Sequence, residues 1–174
     1  MLSVGDINED TAEYLIPQQA KPSRFYTLPK THKKWQGVDN LPVRPVISGC
    51  GSVTERLSEF VAYHLKPHVP KLDSYVKDSK HLIRKIEAIN AKGPLPEESS
   101  LFTIDVVAMY PSIPKNLGLE AAKTALNQRT DKIPSTENLL KCLEICLETN
   151  TFEFNNQHFK QVQGTAIGPK MSPS

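Results

Sequence analysis

The chain has 174 residues, of which 39% are hydrophobic and 23% are charged, and its formal net charge at pH 7 is +2. This composition excludes an intrinsically disordered chain, and the length suits one domain or one and a half. No apolar run is long enough to span a bilayer, no secretory leader is visible, and the three cysteines form no even disulfide framework. We therefore expect an intracellular protein of a reducing compartment with no membrane partner.

The first part of the chain predicts a short helix followed by a β-hairpin. Residues 6–16 fit the helix, residues 24–28 fit the first strand and residues 43–48 fit the returning strand. Pro45 indicates that the returning strand lies at a sheet edge or is bent there. Residues 21–44 hold one acidic residue, Asp39, against six basic residues, which are Lys21, Arg24, Lys30, Lys33, Lys34 and Arg44. This local charge fits either a solvated loop or a contact with nucleic acid.

Four further helices are predicted by apolar periodicity and capping residues. Ser52 and Glu55 form a capping box before a helix that buries one face, made of Leu57, Phe60, Val61, His64 and Leu65. A helix over 79–89 is expected to turn a second apolar face inward, made of Leu82, Ile83, Ile86 and Ile89. The polar loop 92–100 is the candidate subdomain boundary. Two more helices are predicted over 116–128 and 136–149. The second carries one apolar stripe, made of Leu139, Leu140, Leu143, Cys146 and Leu147, and Cys142 and Cys146 are expected to be small buried side chains.

An aspartate interrupts an apolar run that reads LFTIDVV over residues 101–107. The β-branched residues predict a strand, and a carboxylate buried in a strand is costly unless it is paired or bound to a metal. Asp105 is therefore either satisfied by a lysine or backbone donors, or it is a functional ligand. A hairpin follows over 151–162 with its turn at 155–157, and the glycine-rich sequence QGTAIGPKMSPS then precedes an expected helix start that would favour phosphate.

Three blocks of this sequence resemble reverse transcriptases. DVVAMYPSIP is similar to the first palm motif of that family. RFYTLPKTHK followed by LPVRPVIS resembles the fingers hairpin of the Penelope-like retroelements, and FEFNNQHFKQVQGTAIGPKMSPS resembles the next palm motif of that branch. The blocks occur in the family's order and cover about residues 21–174. Each block alone is weak, and the ordered set is specific.

The resemblance implies an RNA-directed DNA polymerase of a transposable element, which joins deoxynucleoside triphosphates to a DNA primer on an RNA template. Such nucleotidyl transfer uses two Mg²⁺ (or Mn²⁺) ions held by hard oxygen ligands. By this resemblance Asp105 is the catalytic carboxylate, and the carbonyl of Val106 is a second metal ligand and lies at the nucleotide. Tyr110 takes the place of the aromatic gate under the sugar, although core packing also explains a tyrosine there. Lys30 and Arg44 are the expected triphosphate contacts, since a guanidinium can bind phosphate bidentately.

The remaining site residues follow from the same resemblance. Gly168 and Gln163 are assigned to the nucleotide, although the position where many reverse transcriptases carry a glutamine is Ile167 here. The candidate contacts to template bases and phosphates combine aromatic and basic side chains, namely Phe25, Lys33, Lys34 and Trp35. Trp35 also fits a loop side chain that covers the hairpin.

The expected fold is α/β (α+β), a right-hand polymerase with an antiparallel palm sheet backed by helices. Residues 1–20 are a lead-in, 21–98 a fingers-like subdomain and 99–174 a partial palm. The family's paired aspartates and its thumb are not seen, so we expect a fragment of a longer polymerase that does not polymerise by itself. An incomplete palm is expected to expose an apolar edge and to self-associate. The family implies the nucleus rather than the cytoplasm.

Two other interpretations stay open. The basic hairpin and its aromatic residues fit a module that binds single-stranded nucleic acid without chemistry. The other interpretation is an unrelated α/β protein in which Asp105 has a structural role. Zinc chemistry is disfavoured because the histidines and cysteines lack ligand spacing, and hydrolase chemistry is disfavoured because no nucleophile elbow is present.

Overall fold

The computed structural model describes residues 1–35 and 37–173. Within them the chain is a mixed α/β protein with six α-helices and one four-stranded sheet. The predicted α/β class is therefore confirmed. No helix in these two ranges is both long and apolar enough to cross a membrane.

The sheet contains two hairpins. Its strands are β1 (Ser23–Pro29), β2 (Val43–Ser48), β3 (Thr151–Phe154) and β4 (Gln157–Lys160). Their spatial order is β2-β1-β3-β4, so β2 lies at an edge of the sheet. Pro45 has no N–H for a strand ladder, and the prediction that it marks an edge strand is confirmed.

The sheet is mixed rather than antiparallel, which corrects the expected palm sheet. β1 and β2 pair antiparallel, as do β3 and β4, but β1 and β3 pair parallel with Ser23 opposite Phe152. The two hairpins are separated by the whole helical region, and such a long connection permits parallel pairing. The sheet thus joins strands from both predicted subdomains. Asn155 and Asn156 form the β3–β4 turn with φ values of 50° and 58°, and this left-handed geometry suits a two-residue hairpin turn.

Five of the six helices lie close to their predicted positions, and the short helix Met109–Ser112 is not predicted from the sequence. They are α1 (Glu9–Leu15), α2 (Glu55–Leu65), α3 (Ser79–Asn90), α4 (Met109–Ser112), α5 (Lys115–Asn127) and α6 (Thr136–Glu148). Short 3-10 helices occupy Leu2–Val4, Val38–Asn40 and Lys66–Lys71. The predicted polar loop over 92–100 is confirmed as non-helical and exposed.

The core is built by α2, α5 and α6. Leu126 and Leu139 are 0% exposed and Val61 is 1% exposed, and Met171 joins them from the end of the chain. Burial of such side chains contributes about 1.5–3 kcal/mol each. Cys142 and Cys146 lie in the same core, and burial raises the pKa of the Cys146 thiol to about 12. Their predicted role as small buried side chains is confirmed.

Side-chain caps begin three of the helices. Asn8, Asp78 and Ser135 each accept a hydrogen bond from a backbone N–H three residues on. The predicted capping box of α2 is wrong, because α2 begins at Glu55 and Thr54 makes no capping bond. Instead the Glu55 carboxylate accepts a 2.8 Å hydrogen bond from the Gly51 N–H, which stabilises the turn before the helix.

The apolar face of α3 is exposed, which corrects the predicted inward orientation. Its four apolar side chains are 47–54% exposed, namely Leu82, Ile83, Ile86 and Ile89. The periodicity correctly predicts an amphipathic helix but does not specify what covers its apolar face. Lys85 holds the helix to the preceding loop by donating to the carbonyls of Asp73 and Tyr75 at 2.7 and 2.8 Å.

Residues 101–107 form no strand, and this prediction is wrong for the structure. Every residue of the run is exposed, with Leu101 99%, Ile104 81% and Val107 84% exposed. A strand needs a hydrogen-bonded neighbour, and no strand of the described chain pairs with this run. Asp105 is consequently in contact with solvent, and its charge needs no buried partner.

Candidate nucleic-acid interface

Lys30 and Arg44 lie at the same end of the first hairpin. Arg44 is opposite Leu28 in the ladder, and the Lys30 N–H donates to the Pro42 carbonyl at 2.8 Å, which extends the pairing beyond β1. Opposed residues share a face, and alternate residues along a strand return to it. The register therefore places both cations on one face of the hairpin, with Arg44 exposed and Lys30 partly exposed.

The loop beyond Lys30 carries the other basic candidates. Lys33, Lys34 and Trp35 are all exposed, and Trp35 is 58% exposed. The Lys33 N–H donates to the Lys30 carbonyl at 3.0 Å and forms a turn at the start of the loop. The hairpin therefore presents three lysines and an arginine to solvent near one end, an arrangement able to contact several phosphates.

Phe25 belongs to an aromatic cluster rather than to the basic loop. Its ring stacks on Phe152 of β3 at 5.4 Å and meets the edge of Phe154 at 5.2 Å. Phe152 in turn stacks on Phe159 of β4 at 5.6 Å. The alternating phenylalanines of residues 152–154 predict an aromatic hairpin at β3 and β4. The contacts of these rings with β1 depend on the parallel pairing of β1 and β3, which local sequence does not reveal.

Asp105 and Val106 lie in the exposed run before α4. Val106 is 60% exposed, and the chain reverses two residues later at Ala108, where φ is 50°. Two divalent cations need more oxygen ligands than one carboxylate and one carbonyl provide. Within residues 1–35 and 37–173, no group of three or more histidine, cysteine, aspartate or glutamate side chains is placed to hold a metal ion. The residues present do not fit a two-metal site, and the metal roles of Asp105 and Val106 stay predictions.

Tyr110 is tied directly to the glycine-rich segment. The Thr165 N–H donates to the Tyr110 carbonyl at 2.8 Å. Gly164 has φ 72°, and a Cβ at this position would lie 2.3 Å from the carbonyl oxygen of Pro111. Only glycine allows this backbone approach. Tyr110 itself is partly buried, so its side chain lies neither in the core nor fully in solvent.

Gly168 joins the same segment to β2. The Ile47 N–H donates to the Ile167 carbonyl at 2.9 Å, on the edge of β2 that faces away from β1. Gly168 has φ 144°, and a Cβ there would lie 1.9 Å from the Ile47 carbonyl oxygen. The close approach at Gly168 is thus to the protein's own backbone. Residues 170–173 make turns, and the helix start expected after the whole glycine-rich sequence stays a prediction.

Gln163 is exposed and lies beside a local side-chain network. Its carbonyl accepts a 2.8 Å hydrogen bond from the Gln161 amide, whose oxygen accepts from Asn150 at 2.8 Å. The Gln163 side chain faces solvent next to Gly164. The Gln163 side chain is therefore accessible to a nucleotide, and the contact itself stays a prediction.

The backbone contacts bring three sequence blocks together. The hairpin strand β2, the turn at Tyr110 and the segment 163–168 meet through two hydrogen bonds and two glycine contacts. Asp105 lies outside this junction, on the exposed run five residues before Tyr110. The junction therefore links the three backbone segments that carry the nucleotide-site candidates Arg44, Tyr110 and Gly168.

A separate apolar groove lies between α5, α6 and the end of α2, and sequence reasoning does not reveal it. Its volume is about 660 Å³. It is lined largely by apolar side chains that include Leu65, Ala125 and Leu147, together with His68 and Ser172. The His68 Nδ1 and Ser172 Oγ atoms are buried and find no hydrogen-bond partner among the described residues. Burial lowers the pKa of His68, with Lys71, Arg129 and Lys132 adding to the effect, so the imidazole is neutral near pH 7.

Comparisons of the chain with protein-family models, with curated proteins and with solved structures find no match. Function therefore has to be argued from the chain's own residues and their geometry.

Proposed function

We propose that this chain is part of an RNA-directed DNA polymerase of the Penelope-like retroelement type, comprising fingers and the first half of the palm. The observation that carries the proposal is the junction of β2, the Tyr110 turn and the segment 163–168. These three stretches are the ones that resemble the family's motifs, and they are far apart in sequence.

The nucleotide is proposed to bind at the open end of the first hairpin. Arg44 forms a fork of donors for the triphosphate, and Lys30 on the same face adds a second positive charge. Tyr110 would lie under the sugar and exclude a ribose 2′-hydroxyl. Asp105 would add one carboxylate to a metal site whose other ligands are not among the described residues. The chain alone is therefore expected to bind nucleotide without extending a primer.

Titration calorimetry with dATP and ATP tests this site. We expect dATP to bind more tightly than ATP, and Tyr110→Ala to remove the difference. Arg44→Ala should weaken both nucleotides by about tenfold or more, because a hydrogen bond to a charged group contributes about 1.5–3 kcal/mol. Tyr63→Ala and Arg84→Ala are the matched controls, since both residues are exposed and lie on helices. Equal binding of dATP and ATP by the unmodified chain, or primer extension by this chain alone, would contradict the proposal.

The second candidate is a nucleic-acid-binding module without polymerase chemistry. The exposed side chains of Lys33, Lys34, Trp35 and Arg44 favour it, because cations and an aromatic residue are the usual contacts to single strands. Binding of single-stranded RNA without any nucleotide binding would select this candidate over the polymerase.

A further inference from the structure

The apolar groove beside α5 and α6 has the size of a small-molecule site. Its volume of about 660 Å³ lies within the range of about 300–1,000 Å³ that is usual for ligand pockets. Its lining residues come from α5, from α6, from the 3-10 helix Lys66–Lys71 and from the glycine-rich segment with the residues that follow it. Several elements of the fold therefore enclose the groove, which distinguishes it from the exposed face of a single helix.

Most of the groove is apolar. On α5 the lining residues include Ala121, Ala122 and Ala125, whose small side chains leave the space between the helices open. On α6 they are Leu143 and Leu147. An apolar ligand that covers these side chains would remove them from water, which is favourable. The body of a ligand in this groove is therefore expected to be apolar.

Two polar atoms in the groove lack hydrogen-bond partners. His68 is only 7% exposed, and its Nδ1 atom and the Oγ atom of Ser172 are buried without a partner among the described residues. A buried polar atom that forms no hydrogen bond costs free energy. A neutral imidazole can donate a hydrogen bond from Nδ1, and a hydroxyl can donate from Oγ. A ligand group that accepts from both atoms would remove this cost.

The formal charge in the groove is positive. Lys71 is the single lysine, arginine, aspartate or glutamate among the described lining residues. It is exposed and forms no ion pair within the described chain. Arg129 and Lys132 also lie close enough to His68 for their positive charges to lower its pKa. Charge complementarity therefore favours an anionic ligand over a cationic one.

We propose that this groove binds a small amphipathic carboxylate, with its apolar chain between α5 and α6 and its carboxylate at His68, Ser172 and Lys71. An ionised carboxylate only accepts hydrogen bonds, and its two oxygens match the two unpartnered donors and the ammonium group. The proposal does not rest on the polymerase function, because none of the residues that line the groove is assigned to the nucleotide or to nucleic acid.

Titration calorimetry with decanoate, below the concentration at which it forms micelles, tests the proposal. Decyltrimethylammonium is the matched ligand, because it carries the same apolar chain and the opposite charge. We expect decanoate to bind about tenfold or more tightly than the cation, since hydrogen bonds to a charged group are the strong ones.

Two variants test the carboxylate end of the groove. His68→Leu removes the buried donor and should weaken decanoate by about tenfold. Lys71→Met keeps most of the side chain, removes the charge and should weaken decanoate by about threefold or more. Lys66→Met is the matched control, because Lys66 is exposed on the same 3-10 helix and does not line the groove. It should leave the affinity unchanged.

A third variant tests the apolar end. Ala121 is exposed and lines the groove, so Ala121→Trp should fill the space and abolish decanoate binding. Asn116→Trp is its control, since Asn116 is exposed on α5 and does not line the groove. Thermal unfolding verifies that all five variants fold, and Lys71→Met and Ala121→Trp keep the test decisive if His68→Leu does not fold.

The outcomes decide the proposal and leave the nucleotide site separate. Loss of decanoate affinity in Lys71→Met and Ala121→Trp, with none in the two controls, supports it. Equal binding of decanoate and decyltrimethylammonium overturns it, because the charge then has no role. Unchanged decanoate binding in Ala121→Trp also overturns it, because the ligand then binds elsewhere. A folded chain that binds no decanoate overturns it and leaves the proposed binding of dATP untouched.

Discussion

The helical core and the exposed run 101–107 carry similar apolar residues but different structures. In the core, Leu126 and Leu139 are fully buried between α2, α5 and α6, whereas Leu101 and Ile104 are almost wholly exposed. The core helices form their backbone hydrogen bonds internally and pack their apolar faces against one another. The run 101–107 has strand-forming residues but no neighbouring strand. An apolar sequence alone therefore does not determine burial. A segment is buried only where another helix or strand packs against it.

The largest effect is expected inside the core. Leu126→Ala should lower the free energy of unfolding by about 2–5 kcal/mol, because it removes a fully buried side chain and leaves a cavity. Leu117→Ala is the control in the same helix, since Leu117 is 53% exposed. Urea denaturation measures both. Similar losses for the two variants would show that α5 does not pack as described.

A smaller but distinctive effect is expected at the junction. Gly164 and Gly5 have nearly equal φ values of 72° and 71°, but a Cβ at Gly164 would overlap the Pro111 backbone and a Cβ at Gly5 would meet nothing within 4 Å. Both alanine substitutions impose left-handed strain of about 1–2 kcal/mol. Gly164→Ala should cost clearly more than Gly5→Ala in urea denaturation, because the overlap adds to the strain. Equal losses would contradict the contact between the glycine-rich segment and the Tyr110 turn.

Two histidines with lowered pKa, His68 in the groove and His64 on α2, predict a pH effect of moderate size. Burial lowers the pKa of His68 and of His64 below the ordinary value of 6.5, with Arg129 contributing to both. Below pH 6.5 these two histidines bind protons more readily in the unfolded chain than in the folded chain. Stability should therefore fall as the pH is lowered from 7.5 to 5.5.

Urea denaturation at several pH values measures this loss, and His68→Gln should flatten the curve. The carboxylates with lowered pKa, such as Asp6 and Glu59, lose their contribution only at lower pH, so they do not interfere. A stability that is constant from pH 7.5 to 5.5 would contradict the buried neutral histidine.

The smallest effect is expected in the exposed run. Ile104→Ser should leave the unfolding free energy within about 0.5 kcal/mol of the unmodified chain, because an exposed side chain loses little on substitution. Sedimentation of the same variant sharpens the comparison, because weaker self-association would show that this exposed run, and not only the edge of the sheet, mediates contacts between copies. A large loss of stability would show that residues 101–107 pack against the rest of the chain.

Sequence reasoning was most successful where the deciding interactions are local. The bounds of β2, the edge position marked by Pro45 and the buried stripe of α6 all follow from alternation, helical periodicity and proline chemistry. The burial of Cys146 follows from the same stripe.

Sequence reasoning failed where a distant partner decides. The parallel pairing of β1 with β3 depends on the whole intervening chain. The apolar face of α3 and the run 101–107 were assigned to the interior because apolar patterns usually lie there. For the candidate site, the roles of Gly164 and Gly168 are backbone contacts within the protein, which a glycine-rich motif alone does not distinguish from ligand contacts.

The central claim is that the basic hairpin contacts nucleic-acid phosphates, since both proposed functions require it. The most direct test measures the affinity for single-stranded RNA as a function of salt in the unmodified chain and in the Lys33→Ala/Lys34→Ala variant of the hairpin loop. The account predicts weaker binding and a logarithmic salt slope shallower by about 1.4, because each lost phosphate contact removes about 0.7. The Lys80→Ala/Arg84→Ala variant, which removes the same charges from α3, should keep the original slope. Equal slopes for the unmodified chain and the hairpin variant would contradict the claim.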